Sequence, residues 1–197
     1  MQIRALTIVC AVRAHGEHGA IVRGLTAEHG LLAGYVRGGR SRRLRPILSA
    51  GNIVQAEFRA RTEDQLAALT VELVSSRAML LEEPLAAAAL DWATALAAAT
   101  LAEGHPYPRI FAALDGVIAA IEAASVARDW ANGLARYEAL VLAELGFGSD
   151  QAARDNDTLG DLKANGIRLS SDLFAGRRID VMAARERLID RLTRAIG

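Results

Sequence analysis

A single cysteine, Cys10, is too few for a disulfide within the chain or for a cysteine zinc cluster. Aromatic residues make up only 5% of the chain, so any surface that stacks on bases must be small. No stretch reaches the roughly 18 uncharged apolar residues that a membrane-spanning helix needs. The most apolar stretch, Leu85–Ala102, is interrupted by Asp91. The N-terminus shows no basic leader followed by an apolar core. A cytoplasmic protein with no membrane partner is therefore expected. Also missing are G-x-S-x-G, H-E-x-x-H and any paired carboxylates in an apolar setting. The chain offers no readable catalytic residues, and neither an enzyme nor a small-molecule substrate is expected.

The net charge is also zero, but this balance conceals an asymmetry. Residues 1–80 carry eleven arginines against six acids, a balance of +5, so the remainder carries −5. A basic front and an acidic back suggest two modules with different partners. Lys163 is the only lysine, and arginine is the better residue for bidentate phosphate contact. Apolar residues amount to 52%, ample for a core, and charged residues to 23%, which argues against disorder.

Along residues 3–13 the chain alternates, with Leu6, Ile8, Cys10 and Val12 on one face and Thr7, Val9, Ala11 and Arg13 on the other. That is the period of a half-buried strand. After the turn His15–Gly19, Ala20–Thr26 and Leu31–Arg37 read as two more strands. A fourth runs over Ile53–Arg61 with Val54, Ala56 and Phe58 inward, and Leu69, Val71 and Leu73 mark a fifth. Five short strands split by glycine-rich turns predict a small OB-fold barrel over residues 1–80. The texture then changes, and residues 81–197 predict an all-α domain for protein contacts. Helices are expected from Pro84 to about Ala102, from about Arg109 to Ala124, and over Asp129–Leu145 with a capping Gly146. Gly148–Asp161 reads as polar and turn-like, followed by short helices near Leu169–Phe174 and over Asp180–Ile196.

Within the barrel, the segment His29–Pro46 stands apart. Arg37, Arg40, Arg42, Arg43 and Arg45 place five cations within nine residues, with no acid among them. Like charges so close need water or a polyanion across them, so the segment reads either as a solvated loop or as a contact for a nucleic-acid backbone. On the second reading Arg23, Arg59 or Arg61 would flank the groove, and Tyr35 or Phe58 would stack on a base. Gly34–Ser41 approaches the phosphate-binding P-loop, but Arg40 replaces the lysine and the following stretch ends in a proline. His15, His18 and His29 with Glu17 read as turn residues rather than metal ligands, and no metal or other cofactor is expected. Asp155, Asp157 and Gly160 echo a calcium loop, whose later ligand positions fall on Leu159 and Gly166. From these residues alone, a DNA-binding protein, an RNA-binding module on a helical scaffold, and a purely structural protein all stay open.

The order Gly16-Glu17, Leu25-Thr26, His29-Gly30-Leu31-Leu32, Arg37-Gly38, Arg40-Ser41-Arg42 and Gly51-Asn52 resembles the N-terminal domain of the bacterial RecO family. The resemblance continues through Arg136-Tyr137-Glu138 and Leu142 to Leu145-Gly146-Phe147. It implies an OB-fold followed by a helical domain in a recombination and DNA-repair mediator, active in the cytoplasm at the nucleoid. It implies binding of single- and double-stranded DNA and annealing of complementary strands. Loading of the RecA recombinase, with RecR, onto DNA coated by single-strand binding protein is implied too, as is contact with that protein's C-terminal tail. Arg37, Arg40, Arg42, Arg43 and Arg45 inherit the DNA-contacting role. Ser49-Ala50 stand where many members have Gln-Pro, and the absence of cysteine from Gly148–Gly197 departs from members that carry a zinc motif.

Overall fold

Alternating aliphatic and β-branched residues draw the front of the chain into five strands. These are β1 (Gln2–His15), β2 (Gly19–Thr26), β3 (Gly30–Val36), β4 (Ile53–Arg59) and β5 (Ala67–Ser75). In this computed structural model, which describes residues 1–62, 65–148, 157–175 and 181–196, the strands close into a barrel of order β1-β2-β3-β5-β4. Strand β1 pairs antiparallel with both β2 and β4, and the parallel pairs Gly34–Ala67 and Tyr35–Ala68 complete the ring. This is the OB-fold expected from the sequence. Closure removes the sheet edges that would otherwise stay unpaired. The barrel is filled by Val9, Val22, Val36, Val54, Ala56, Phe58 and Leu69.

The simple alternation expected for β1 fails at Cys10. Val9 pairs with Gly24 but Ala11 pairs with Arg23, so Cys10 is an extra residue, a β-bulge. One extra residue exchanges the two faces of the strand. Val12 therefore pairs with the inward Val22 rather than continuing the face of Ile8 and Cys10. Residues 7–10 are buried on both faces, because Val9 enters the barrel while Ile8 and Cys10 join the helical core. On β5 Leu69 is buried, whereas Leu73, although paired with Val54 of β4, is 42% exposed.

A short 3-10 turn, Ala78–Glu82, leads into the helices. Helix α1 (Pro84–Thr100) starts with a proline at its first position and with the Glu83 side chain accepting from the Ala86 N–H. Helix α2 (Pro108–Ala123) buries Ile110, Leu114, Val117, Ile118 and Ile121, which recur at helical spacing along one face. Helix α3 (Arg128–Glu144) ends in a Schellman motif, with Phe147 N–H donating to Leu142 C=O at 2.8 Å and Gly146 N–H to Ala143 C=O at 3.1 Å.

Helix α4 (Thr158–Arg168) corrects the turn-like reading at residues 158–161, and a π turn over Leu169–Leu173 continues it where a short helix was expected. Asp157 caps it by accepting from Gly160 N–H at 2.8 Å, so the aspartate and glycine of the apparent calcium loop are a helix start. Asp155 lies outside the described residues, as do Glu63, Asp64 and Asp180. Helix α5 (Met182–Ile196) packs on α1.

The helical core does not stop at the barrel. It takes in Ile8, Cys10, Leu25 and Leu31 from the outer faces of β1, β2 and β3. Gly104 N–H donates to Leu31 C=O at 3.0 Å, and a Cβ at Gly30 (φ +67°) would land on the His105 carbonyl oxygen. Glycine at that position lets the α1–α2 connection lie directly on β3.

Candidate nucleic-acid interface

The basic segment is built as a cap on the barrel. Beyond β3 the chain doubles back through Gly39 N–H to Val36 C=O (3.2 Å) and Ser41 N–H to Gly38 C=O (2.9 Å). The Ser41 hydroxyl then accepts from Leu44 N–H at 3.2 Å while its carbonyl accepts from Arg45 N–H, the start of a helical turn. Leu44, Ile47 and Leu48 recur at helical spacing and pack on the barrel core. The intervening arginines are thereby left outside. Arg37, Arg40, Arg42, Arg43 and Arg45 are all exposed.

Two anchors fix this cap. Arg40 donates its backbone N–H to His18 C=O (3.1 Å) and its Nη1 to Glu17 C=O (3.0 Å), tying the segment to the β1–β2 turn. At the far end Asn52, 1% exposed, donates to the carbonyls of Pro46 (2.9 Å) and Ile47 (3.0 Å). Its Oδ1 accepts from Arg77 N–H. A loop with both ends held presents its charges in a fixed place. Among the described residues, none of the five arginines is paired with a carboxylate. Five guanidinium groups without a carboxylate partner on one connection suit an oxyanion chain, which supplies both charge and acceptors.

A groove of about 730 Å³ runs along the seam between this cap, β1 and α1. Arg40 and Arg45 line it from the cap, Ala11, Val12 and Ala14 from β1, and Asp91 and Ala95 from α1. A second hollow of about 430 Å³ lies beside it, lined by Glu17, His18, Gly38, Arg40 and Ser41.

The flanking residues fare differently. Arg23 turns away from the cap and donates to Ala98 C=O and to Glu103 Oε1, the latter at 3.0 Å. It is engaged in holding β2 to the helical domain. Arg59 pairs with Glu57 at 2.7 Å, which with Gln2 holds the Glu57 carboxyl below its ordinary value. Arg61 is exposed, and Phe58 is wholly inside the barrel. Tyr35 is half-buried, its ring over Gly19 and edge-on to His15 at 5.9 Å.

No group of three His, Cys, Asp or Glu side chains able to hold a metal occurs among the described residues. His29 is a turn residue whose N–H donates to Thr26 Oγ1. The P-loop resemblance also ends here, since Ser41 opens a helical turn that closes the barrel, not a helix following a strand.

One buried polar cluster was not anticipated from the sequence. Glu138, wholly buried on α3, accepts from Trp92 Nε1 (2.8 Å) and from Arg185 Nε (2.8 Å) and Nη2 (2.9 Å). It joins α1, α3 and α5 and serves the helical core rather than the arginine face. A carboxylate between Leu134, Ala135, Val141 and Leu142 at core spacing is the signal that marks it. Among the described residues no helix is long and apolar enough to cross a membrane.

With this geometry in place, the comparisons with known proteins agree on one family. The family model described as Recombination protein O N terminal matches residues 1–77, and that described as Recombination protein O C terminal matches residues 81–153. The DNA repair protein RecO of Phenylobacterium zucineum is 42% identical over 151 residues, covering 76% of this chain and 61% of that protein. That of Rhodospirillum rubrum is 45% identical over 149 residues, covering 73% and 58%. The RecO protein of Caulobacter sp. is 42% identical over 143 residues, covering 72% and 58%. The chain thus spans about three fifths of the length of the curated relatives it matches. An OB-type barrel capped by arginines, a helical domain locked to its outer face and these matches together place the chain in the RecO family of DNA repair proteins.

Proposed function

We propose that this chain is a non-enzymatic mediator that binds single- and double-stranded DNA through the cap on its barrel and anneals complementary strands. The observation that carries this reading is the set of Arg37, Arg40, Arg42, Arg43 and Arg45, exposed on an anchored loop and paired with no carboxylate among the described residues. Arginines that hold the phosphates of two strands lower their mutual repulsion, so that complementary bases can meet. Of the two aromatic rings on the barrel strands, Phe58 is buried and Tyr35, two residues before Arg37, is partly open to a base. Arg23 has no part in the contact, since its guanidinium is committed to the helical domain.

In keeping with its family, the helical domain provides the protein contacts. It meets RecR and the C-terminal tail of single-strand binding protein, and the assembly helps load the RecA recombinase onto coated DNA. The setting of this work is the cytoplasm, at the nucleoid. A strand-annealing assay with complementary oligonucleotides, bare and coated by single-strand binding protein, tests the whole reading. The intact chain should accelerate annealing in both cases, whereas no acceleration on either substrate would refute it.

A further inference from the structure

The seam groove is a large hollow lined by two of the cap arginines, Arg40 and Arg45. We propose that it is a single-strand site, which takes one sugar–phosphate chain leaving the cap and excludes duplex; this rests on the DNA-binding reading above. Its volume of about 730 Å³ falls within the roughly 300–1,000 Å³ of clefts that enclose small ligands. That is the bulk of a short nucleotide segment, not of two chains around a stacked core.

The walls fit such an occupant. Arg40 and Arg45 supply cations on one side, and Arg40 is held in place by the Glu17 carbonyl. Ala11, Val12, Ala14, Ala20 and Leu48 give small apolar surfaces, with Val12 left 43% exposed. Strand β4 covers the edge of β1 from Gln2 to Ile8, and Val9 beyond it donates to Asn52 C=O and accepts from Gly51 N–H. From Ala11 onward β2 is the one strand neighbour of β1 among the described residues, so alternate N–H groups on its other edge can donate to phosphate oxygens. The groove is continuous with the exposed arginine cap, so a strand held by Arg42 and Arg43 has a path into it.

Asp91 sets the limit on that path. It lines the groove from α1, the one acid in its lining among the described residues and opposite in sign to Arg40 and Arg45. A single chain of phosphates can run along the arginine side with its bases turned to α1. A second chain would bring its phosphates against Asp91. The carboxylate thereby favours one strand over two.

The test uses the intact chain carrying Ala95→Cys, with Ala112→Cys on the exposed face of α2 as control. The native Cys10 is buried, so a maleimide reports on the introduced thiol. DNA binding is followed in parallel by fluorescence anisotropy with a mixed-sequence deoxyoligonucleotide and its duplex. Single-stranded DNA should slow modification at position 95 in proportion to occupancy, duplex bound to the same extent should not, and the control should be unaffected. Asp91→Asn should raise single-strand affinity about twofold, as expected for removing one nearby like charge, and should let duplex begin to protect position 95, because the charge that repels the second chain is gone.

If both DNAs bind but neither protects position 95, or both protect it alike, the single-strand site is overturned while the cap reading stands. Protection by an acidic extended peptide and not by DNA would also overturn it, because the open edge of β1 would then be a peptide site. Absence of any DNA binding would remove both readings at once.

Discussion

The side-chain oxygen of Asn52 accepts a hydrogen bond from the backbone N–H of Arg77 at 2.8 Å, across the junction where the barrel gives way to the helices. The same amide reaches the Pro46 and Ile47 carbonyls, so one buried side chain joins the arginine cap to the start of the helical domain. Replacing Asn52 with Leu removes all three bonds and strands the Arg77 N–H. We expect a loss of about 2–4 kcal/mol in urea unfolding, because buried polar groups lose their partners and cannot reach water. An unchanged midpoint would show that the junction is held by other contacts.

The cap arginines should matter far more to DNA than to stability. Arg40, Arg42 and Arg43 replaced together by Ala should weaken binding and flatten the salt dependence. The logarithmic slope should fall by up to about 0.9 per lost phosphate contact on duplex and about 0.7 on single strands. No carboxylate partner is lost and Arg40 gives up one exposed bond to Glu17 C=O, so the melting temperature should fall only slightly. Unchanged affinity and slope in a salt titration would sink the assignment of these residues.

Glu138 and Arg185 form a buried ion pair, at 2.8 Å, whose carboxylate also serves Trp92. Removing one partner leaves the other charge buried and uncompensated, so Glu138→Leu or Arg185→Met alone should cost about 3–5 kcal/mol. The double replacement should recover much of that loss, since two apolar side chains need no partner. A double-mutant cycle by chemical denaturation measures the coupling, and strictly additive losses would argue against the pair.

Burial pushes the Cys10 thiol from 9.0 up to about 12, and burial likewise raises Tyr137 well above 10.0. At pH 8 the folded protein should resist thiol-directed alkylation, while the denatured chain reacts. Both groups stay protonated in the fold at a pH where the unfolded chain releases its protons. Their contribution to stability is therefore complete below about pH 9 and declines as pH rises toward 12. Denaturation midpoints that hold steady over pH 9–11 would contradict this burial.

The barrel and the first three helices were legible because their signals are local. Val54, Ala56 and Phe58 alternate, Ile110, Leu114, Val117, Ile118 and Ile121 follow a helical period, and Gly146 stands where a Schellman cap needs it. The arginine cap was legible too, as a charge density no core accepts. Where reading failed, the cause was distance along the chain. The bulge at Cys10 depends on the register with β2, and the cap at Asp157 was hidden in a polar stretch that resembled a metal loop. Arg23 looked like one more free cation until Glu103, 80 residues away, came to meet it.

Composition and periodicity alone determined that this chain folds as a β-barrel followed by helices and that its positive charge gathers on one connection of that barrel. Such properties follow from neighbours in sequence, because strand and helix periods and like-charge crowding act over a few residues. Only the tertiary structure decided which arginines stay free, that Asn52 and Arg40 anchor them, and that Asp91 of α1 closes a groove beside them. Those facts depend on hydrogen bonds and packing between residues far apart in the chain, which no local pattern encodes.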